Sequence, residues 1–207
     1  MPPVPSPLLA ATLGVLMLAD CQLSLSSPVD PRQIALQQGD LPADLKRCPG
    51  SGPIDGYLKG LAPEDPDGHA TIQRGWSQLR SNGAVEGAMT VYSAAPQDCR
   101  KQPGSGAGRS AATLVARFDS DQAAASAYSK GAMGFPTPAQ DEQEPGLRQG
   151  FATQLSPNSW VLRREVAGQA LAVAYWQRTS YTIFFVGLDL DPGEADHALV
   201  GVDGRAG

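Results

Sequence analysis

Apolar and polar residues alternate along this chain with three different rhythms. The first is no alternation at all. Residues 8–19, LLAATLGVLMLA, are uninterruptedly apolar, and a polar stretch, QLSLSSPVDPRQ, follows shortly after. A run this short falls well below the roughly 20 residues a helix needs to cross a bilayer core, but it matches the h-region of a secretory signal peptide. Residues 1–20 therefore read as an export signal, 21–40 as a tether and 41–207 as one folded domain.

Within the domain a helical rhythm comes first. PIDGYLKGL, residues 53–61, predicts a short helix. Asp65-Pro66-Asp67 is turn chemistry, and Ile72, Trp76 and Leu79 make an apolar stripe on a helix that Asp67 or Thr71 would cap and Asn82-Gly83 would end. The period then shortens to two. Residues 84–95 alternate as a strand, with Val85, Met89 and Val91 facing one way, and residues 110–118, SAATLVARF, predict a second strand. Asp119 or Ser120 can cap an alanine-rich helix that stops by Gly134. FPTPAQDEQEPGLRQ, residues 135–149, reads as a loop.

Four strand candidates follow, at 150–155, 159–166, 169–177 and 180–189. Their short separators, Pro157-Asn158 and Ala167-Gly168 among them, predict an antiparallel meander. Trp160, Leu162 and Val166 point opposite to Val161, Arg163 and Glu165. Residues 170–176 and 182–188 are apolar throughout, which places those strands centrally. Asp191-Pro192-Gly193-Glu194 supplies an N-cap, a proline at the first helical position and a glutamate at the third, so a last helix should run to about Val202. The predicted fold class is α+β. About six antiparallel strands in the order β-β-α-β-β-β-β-α would carry helices on one face.

Charge removes one class of function. The formal net charge is −5 and the Lys and Arg residues are scattered, whereas nucleic-acid binding needs a clustered basic footprint. Cysteine usage adds a compartment. Of three cysteines, Cys21 follows the apolar leader, and an oxidising compartment would pair Cys48 with Cys99; the alternative is two buried free thiols in a reducing one. With two histidines and no CxxC spacing, neither a zinc site nor any other cofactor is expected.

Leu18-Ala19-Asp20-Cys21 resembles a bacterial lipobox, departing from it at Asp20. That resemblance implies cleavage before Cys21 and a lipid on its sulfur, so contact with a membrane would run only through that lipid or an uncleaved leader. LPADLKRCPGSGPIDGYL, LVARFDSDQAAASAY, LSPNSWVLRR and AVAYWQRTSYTIFFVGLDLDP together resemble an uncharacterised class of secreted or lipid-anchored bacterial proteins. The element order is more loosely similar to the extracellular sensor domains of actinobacterial receptor kinases and to PsbP-like domains. The likeness implies a surface for a ligand or envelope partner, not a reaction.

Sites for chemistry are sparse. PGSGAGRS, residues 103–110, imitates a phosphate loop, but Arg109 stands where lysine is needed and a strand follows it, so a flexible loop is expected. Asp189, Asp191, Glu194 and Asp196 imitate a calcium loop, but Pro192 breaks the register and capping accounts for Asp191 and Glu194. There is no GxSxG, and His69 and His197 sit in no motif. One cluster stands out: Trp160, Arg163, Arg164, Tyr175, Trp176, Arg178 and Tyr181, aromatics beside arginines that can stack on sugars or grip anions, or else serve as ordinary core and surface residues of a sheet. The expectation is an exported, non-enzymatic binding or sensor-like domain, with an exported enzyme lacking a local motif and a structural envelope protein as alternatives.

Overall fold

The computed structural model describes residues 28–105 and 108–207. The expected signal peptide, 1–20, and the expected lipidation site, Cys21, lie outside them. The described residues form an α+β fold around one open antiparallel sheet. Its strands are β1 (Lys46–Arg47), β2 (Gly52–Pro53), β3 (Ala84–Ser93), β4 (Ser110–Phe118), β5 (Leu147–Gln149), β6 (Ser159–Val166), β7 (Gln169–Arg178) and β8 (Tyr181–Leu188). Their spatial order is β1-β3-β4-β8-β7-β6-β5, with β2 also pairing with β3. The helices are α1 (Pro31–Ile34), α2 (Ile54–Leu61), α3 (Pro66–Ser81), α4 (Asp121–Tyr128) and α5 (Pro192–Ala206).

The meander follows its turn chemistry. At the β6–β7 hairpin both central residues, Ala167 (φ 52°) and Gly168 (φ 80°), take the left-handed backbone that a tight hairpin needs to match strand twist. The two strands with unbroken apolar runs, β7 and β8, occupy the middle of the sheet. The helix starts follow from capping. Ser120 accepts from Ala123 N at the start of α4, and Asp191 and Glu194 close a reciprocal capping box at α5. The cap of α3 is Asp65, which accepts from Gly68 N, and not Asp67 or Thr71: Pro66 takes the first helical position, where a missing N–H costs nothing.

Helices cover both faces of the sheet, where the sequence led us to expect one. On the first face, α2, α3 and α4 pack on Met89, Leu114, Phe118, Val173, Tyr175 and Phe184. On the second, α1 and α5 pack on Tyr92, Val115, Val161, Trp176, Ile183 and Phe185. The reason is visible in β4 and β8. Both are apolar at odd and even positions, so each face carries a greasy stripe that needs a cover.

That second cover includes much of the expected tether. Within its described part, residues 28–40, Ile34, Ala35 and Leu36 are buried. Asp30 caps α1, Leu36 N donates to Thr113 Oγ1 at 3.2 Å, and the Tyr181 hydroxyl donates to Val29 O at 2.6 Å. Arg205 of α5 holds both Asp40 oxygens, at 2.9 and 2.6 Å, and the carbonyls of Ile34 and Ala35. The apolar piece IAL is too short to show a period, so nothing local in the sequence marks it as core.

Two strand expectations shift as well. A bulge between Ala84 and Glu86 in β3 turns Ala84 inward and leaves Val85 exposed, so Val85 does not share the face of Met89 and Val91. The expected strand at 150–155 is a 3-10 turn, Gly150–Thr153, and its pairing role falls to β5 inside the expected loop. Thr153 Oγ1 donates to Gly150 O at 2.8 Å and contacts Ser159 Oγ, local bonds that compete with a sheet ladder.

Cys48 and Cys99 are bonded, with α-carbons 5.3 Å apart. Cys48 follows β1 and donates its N–H to Val91 O at 2.8 Å, while Cys99 lies in the 3-10 turn Pro96–Arg100 that follows β3. The bridge therefore pins this turn, and the loop after it, to the edge of the sheet.

Candidate functional site

The aromatic–arginine cluster does not form one surface. Trp160 and Tyr175 belong to the first face, and Trp176 and Tyr181 to the second, because residue parity sends neighbours on a strand to opposite sides. All four rings are buried. Arg163 pairs with Asp196 of α5, which also takes Arg148 at 3.1 Å. Arg164 reaches Glu144 at 3.9 Å on an exposed edge. Arg178 lies near Asp203. Core packing explains the aromatics, and helix-to-sheet ion pairs explain Arg163.

The other sequence candidates are also occupied structurally. Arg109, in the lysine position of the apparent phosphate loop, holds Asp44 at 2.9 Å, pairs with Glu194 and donates to Asp189 O at 3.0 Å. The four acids of the apparent calcium loop diverge. Asp189 accepts from Ala170 N and Gln169, Asp191 and Glu194 cap α5, and Asp196 faces arginines. Among the described residues no three His, Cys, Asp or Glu side chains converge as a metal site. His197 is exposed, 3.3 Å from Gly39 O, and His69 sits half-buried in the first turn of α3.

A cavity on the first face draws together residues that no motif connects. It has a volume of about 190 Å³ and opens between α3, the loop 102–105 and the segment 133–135. Its floor is the sheet: Met89 of β3, Ala112 and Leu114 of β4, Leu171 and Val173 of β7, Phe184 and Val186 of β8. Ile72, Met133 and Phe135 form the sides, and Thr71, Gln102 and Ser105 supply the polar atoms of the lining. Ala112 is the smallest floor residue.

The rim is built by specific contacts. Asp65 accepts from Gly68 N at 2.9 Å and from Gln102 N at 2.7 Å, so the helix cap also anchors the loop. Those two donors hold the Asp65 carboxyl below the ordinary range. Ser105 Oγ donates to Gln102 O at 2.6 Å. On the opposite side Gly75 makes room for Met133, whose sulfur occupies the space a β-carbon there would need. Phe135 joins the cavity to an aromatic cluster. It stacks at a tilt on Phe184 (5.7 Å) and Trp160 (6.2 Å), and Tyr175 stacks on Tyr128 at 5.2 Å. Burial pushes the Tyr128 phenol up to about 12 and that of Tyr175 up too, so both rings stay neutral at physiological pH.

On the opposite face one carboxylate is poorly placed. Burial raises the pKa of Asp203 on α5 against the opposing pulls of Arg178 and of the nearby Trp176 indole N–H, and its Oδ1 makes no close hydrogen bond among the described residues. A raised folded-state pKa contributes stability below the unfolded value and loses it as pH rises through the folded value. Asp203→Asn should therefore raise the melting temperature at pH 7, and the gain should vanish below the ordinary carboxylate range. Thermal melts of both proteins across pH 3 to 7 check this; a gain that is the same at every pH would assign the effect to packing.

The class this geometry defines is a disulfide-bridged α+β domain, with an antiparallel sheet covered by helices on both faces. Comparison of the chain with protein-family models, with curated proteins and with solved structures finds no match.

Proposed function

We propose that this protein is an exported, non-enzymatic binding domain, tethered through a lipid on Cys21, and that the apolar cavity on the α2–α3–α4 face receives its ligand. The observation that carries the reading is the lining of that cavity. It is open, apolar on floor and sides, and free of charged side chains among the described residues. A volume of about 190 Å³ is somewhat larger than the roughly 150 Å³ of engineered apolar cavities that take up benzene. The ligand that fits is a compact apolar group, or the end of a longer one. Two methionines, Met89 and Met133, give the walls adaptability. Thr71, Gln102 and Ser105 offer hydrogen bonds that orient a ligand without activating it. Export is supported by the leader and by the Cys48–Cys99 bridge, since such bonds persist in oxidising compartments.

Binding is tested by titrating the oxidised domain, residues 28–207, with p-xylene while following the methionine methyl resonances by NMR. The Met89 and Met133 methyls should shift saturably, and Ala112→Leu, which fills the floor, should weaken binding at least tenfold. Unmoved methyls, or unchanged affinity in the filled variant, would overturn the assignment of this cavity. Mass spectrometry of the native mature protein tests the export half. The expected product starts at Cys21, carries an acyl mass there and has no free thiol on Cys48 or Cys99; an uncleaved chain with free thiols contradicts it.

A further inference from the structure

A second and larger recess lies beside the disulfide, on the outer edge of the sheet. It has a volume of about 580 Å³, within the ordinary range of small-molecule sites, roughly 300–1,000 Å³. Its walls are β1, the C-terminal half of α2 and the turn Pro96–Arg100. Three cations line it, Lys46, Arg47 and Arg100, against one carboxylate, Glu64. That is a local excess of positive charge on a chain whose formal net charge is −5.

These cations are held but not neutralised. Lys46 Nζ donates to Ala43 O at 2.6 Å, and an Arg47 guanidinium nitrogen donates to Ser51 O at 3.3 Å. Both acceptors are uncharged carbonyls, which fix a cation in place and leave its field intact. The Arg100–Glu64 contact is 3.7 Å between side chains 72% and 47% exposed, a loose pair that an incoming anion can displace at little cost.

Tyr57 forms part of the wall and is 5% exposed; its hydroxyl is itself buried, so the side chain gives the recess ring surface and not a donor. The remaining lining is largely apolar, with Leu61, Pro49 and Pro96.

We propose that this recess is a second binding site, for a small organic anion: an anionic group held by Arg47 and Arg100, on an apolar body that covers Leu61 and the prolines. It is separate from the apolar cavity and does not depend on it. The anion replaces Glu64 as the partner of Arg100.

The test is calorimetric and NMR titration of the oxidised domain at low ionic strength with phenyl phosphate, benzoate, benzyl alcohol and inorganic phosphate. Saturable binding is expected for phenyl phosphate or benzoate, at least tenfold tighter than for either benzyl alcohol or inorganic phosphate, and weakening with added salt. The double variant Arg47→Gln/Arg100→Gln, at exposed positions, should weaken it tenfold or more. Unchanged affinity in the double variant, or inorganic phosphate binding as tightly as phenyl phosphate, overturns the proposal. Titration with p-xylene in the same variant should be unaffected, which separates failure of this site from failure of the apolar cavity.

Discussion

A chain that begins at Leu41 should lose most of its cooperative stability relative to one that begins at residue 28. Ile34 and Leu36 are essentially inaccessible to solvent, and burying each contributes about 1.5–3 kcal/mol. Their removal uncovers the second face of the sheet, where Tyr92, Val115 and α5 contribute to the same core. The truncation also deletes Asp40, the partner of Arg205, and the carbonyls of Ile34 and Ala35 to which Arg205 donates. The Arg205 side chain is 30% exposed, so water partly re-solvates it, and this loss counts for less than the apolar one. The combined cost is about 5 kcal/mol or more, comparable with the whole stability of a typical domain, about 5–15 kcal/mol. Guanidinium unfolding of chains 28–207 and 41–207, followed by tryptophan fluorescence, measures it. Equal midpoints would mean that residues 28–40 only rest on the domain.

Removing the disulfide should be nearly as costly. The bonded cysteines are 51 residues apart, and closing a loop of that length lowers the entropy of the unfolded chain by about 4 kcal/mol at 25 °C in the chain-entropy treatment. Cys48→Ala/Cys99→Ala should therefore shift the denaturant midpoint strongly downward, and reduction of the native protein should reproduce the shift. The effect has a local side. The Pro96–Arg100 turn carries Cys99 and leads into Gln102–Ser105, the rim of the apolar cavity, which would then be held chiefly by the hydrogen bond from Gln102 N to Asp65. Hydrogen exchange should accelerate in residues 96–105 of the reduced protein before it does so in the central strands. A loss of unfolding free energy below about 1 kcal/mol would show that the unfolded chain is already compact around these cysteines.

The candidate sites were legible only in part. Cys48 and Cys99 could be paired from the sequence by counting, because an exported chain with a lipobox-like cysteine leaves those two over. The capping role of Asp191 and Glu194 could be read because a capping box is a property of four consecutive residues. The apolar cavity could not. Its lining comes from α3, β3, β4, β7, β8 and two loops, and no segment contributes a recognisable spacing. The one available signal was small: Ala112 on the inward face of β4, shortly after a glycine-rich loop that does not match a phosphate loop. The cationic recess was equally hidden, since Lys46 and Arg47 lie far from Arg100 in sequence and meet it through the pairing of β1 with β3 and the bridge at Cys99.

From the sequence alone follow the features that neighbouring residues decide between themselves: the strands Ser110–Phe118 and Ser159–Val166, the caps of α4 and α5, the hairpin at Ala167-Gly168 and the central position of β7 and β8. Tertiary structure alone decided that helices cover both faces, that Ile34, Ala35 and Leu36 are core, that four aromatic rings divide between two interiors, and where space was left unfilled. The physical reason is range. Periodicity and capping act over a few residues, whereas covering a sheet face joins segments as distant in sequence as α1 and β8 in one cluster, through burial that has no direction and leaves no local pattern.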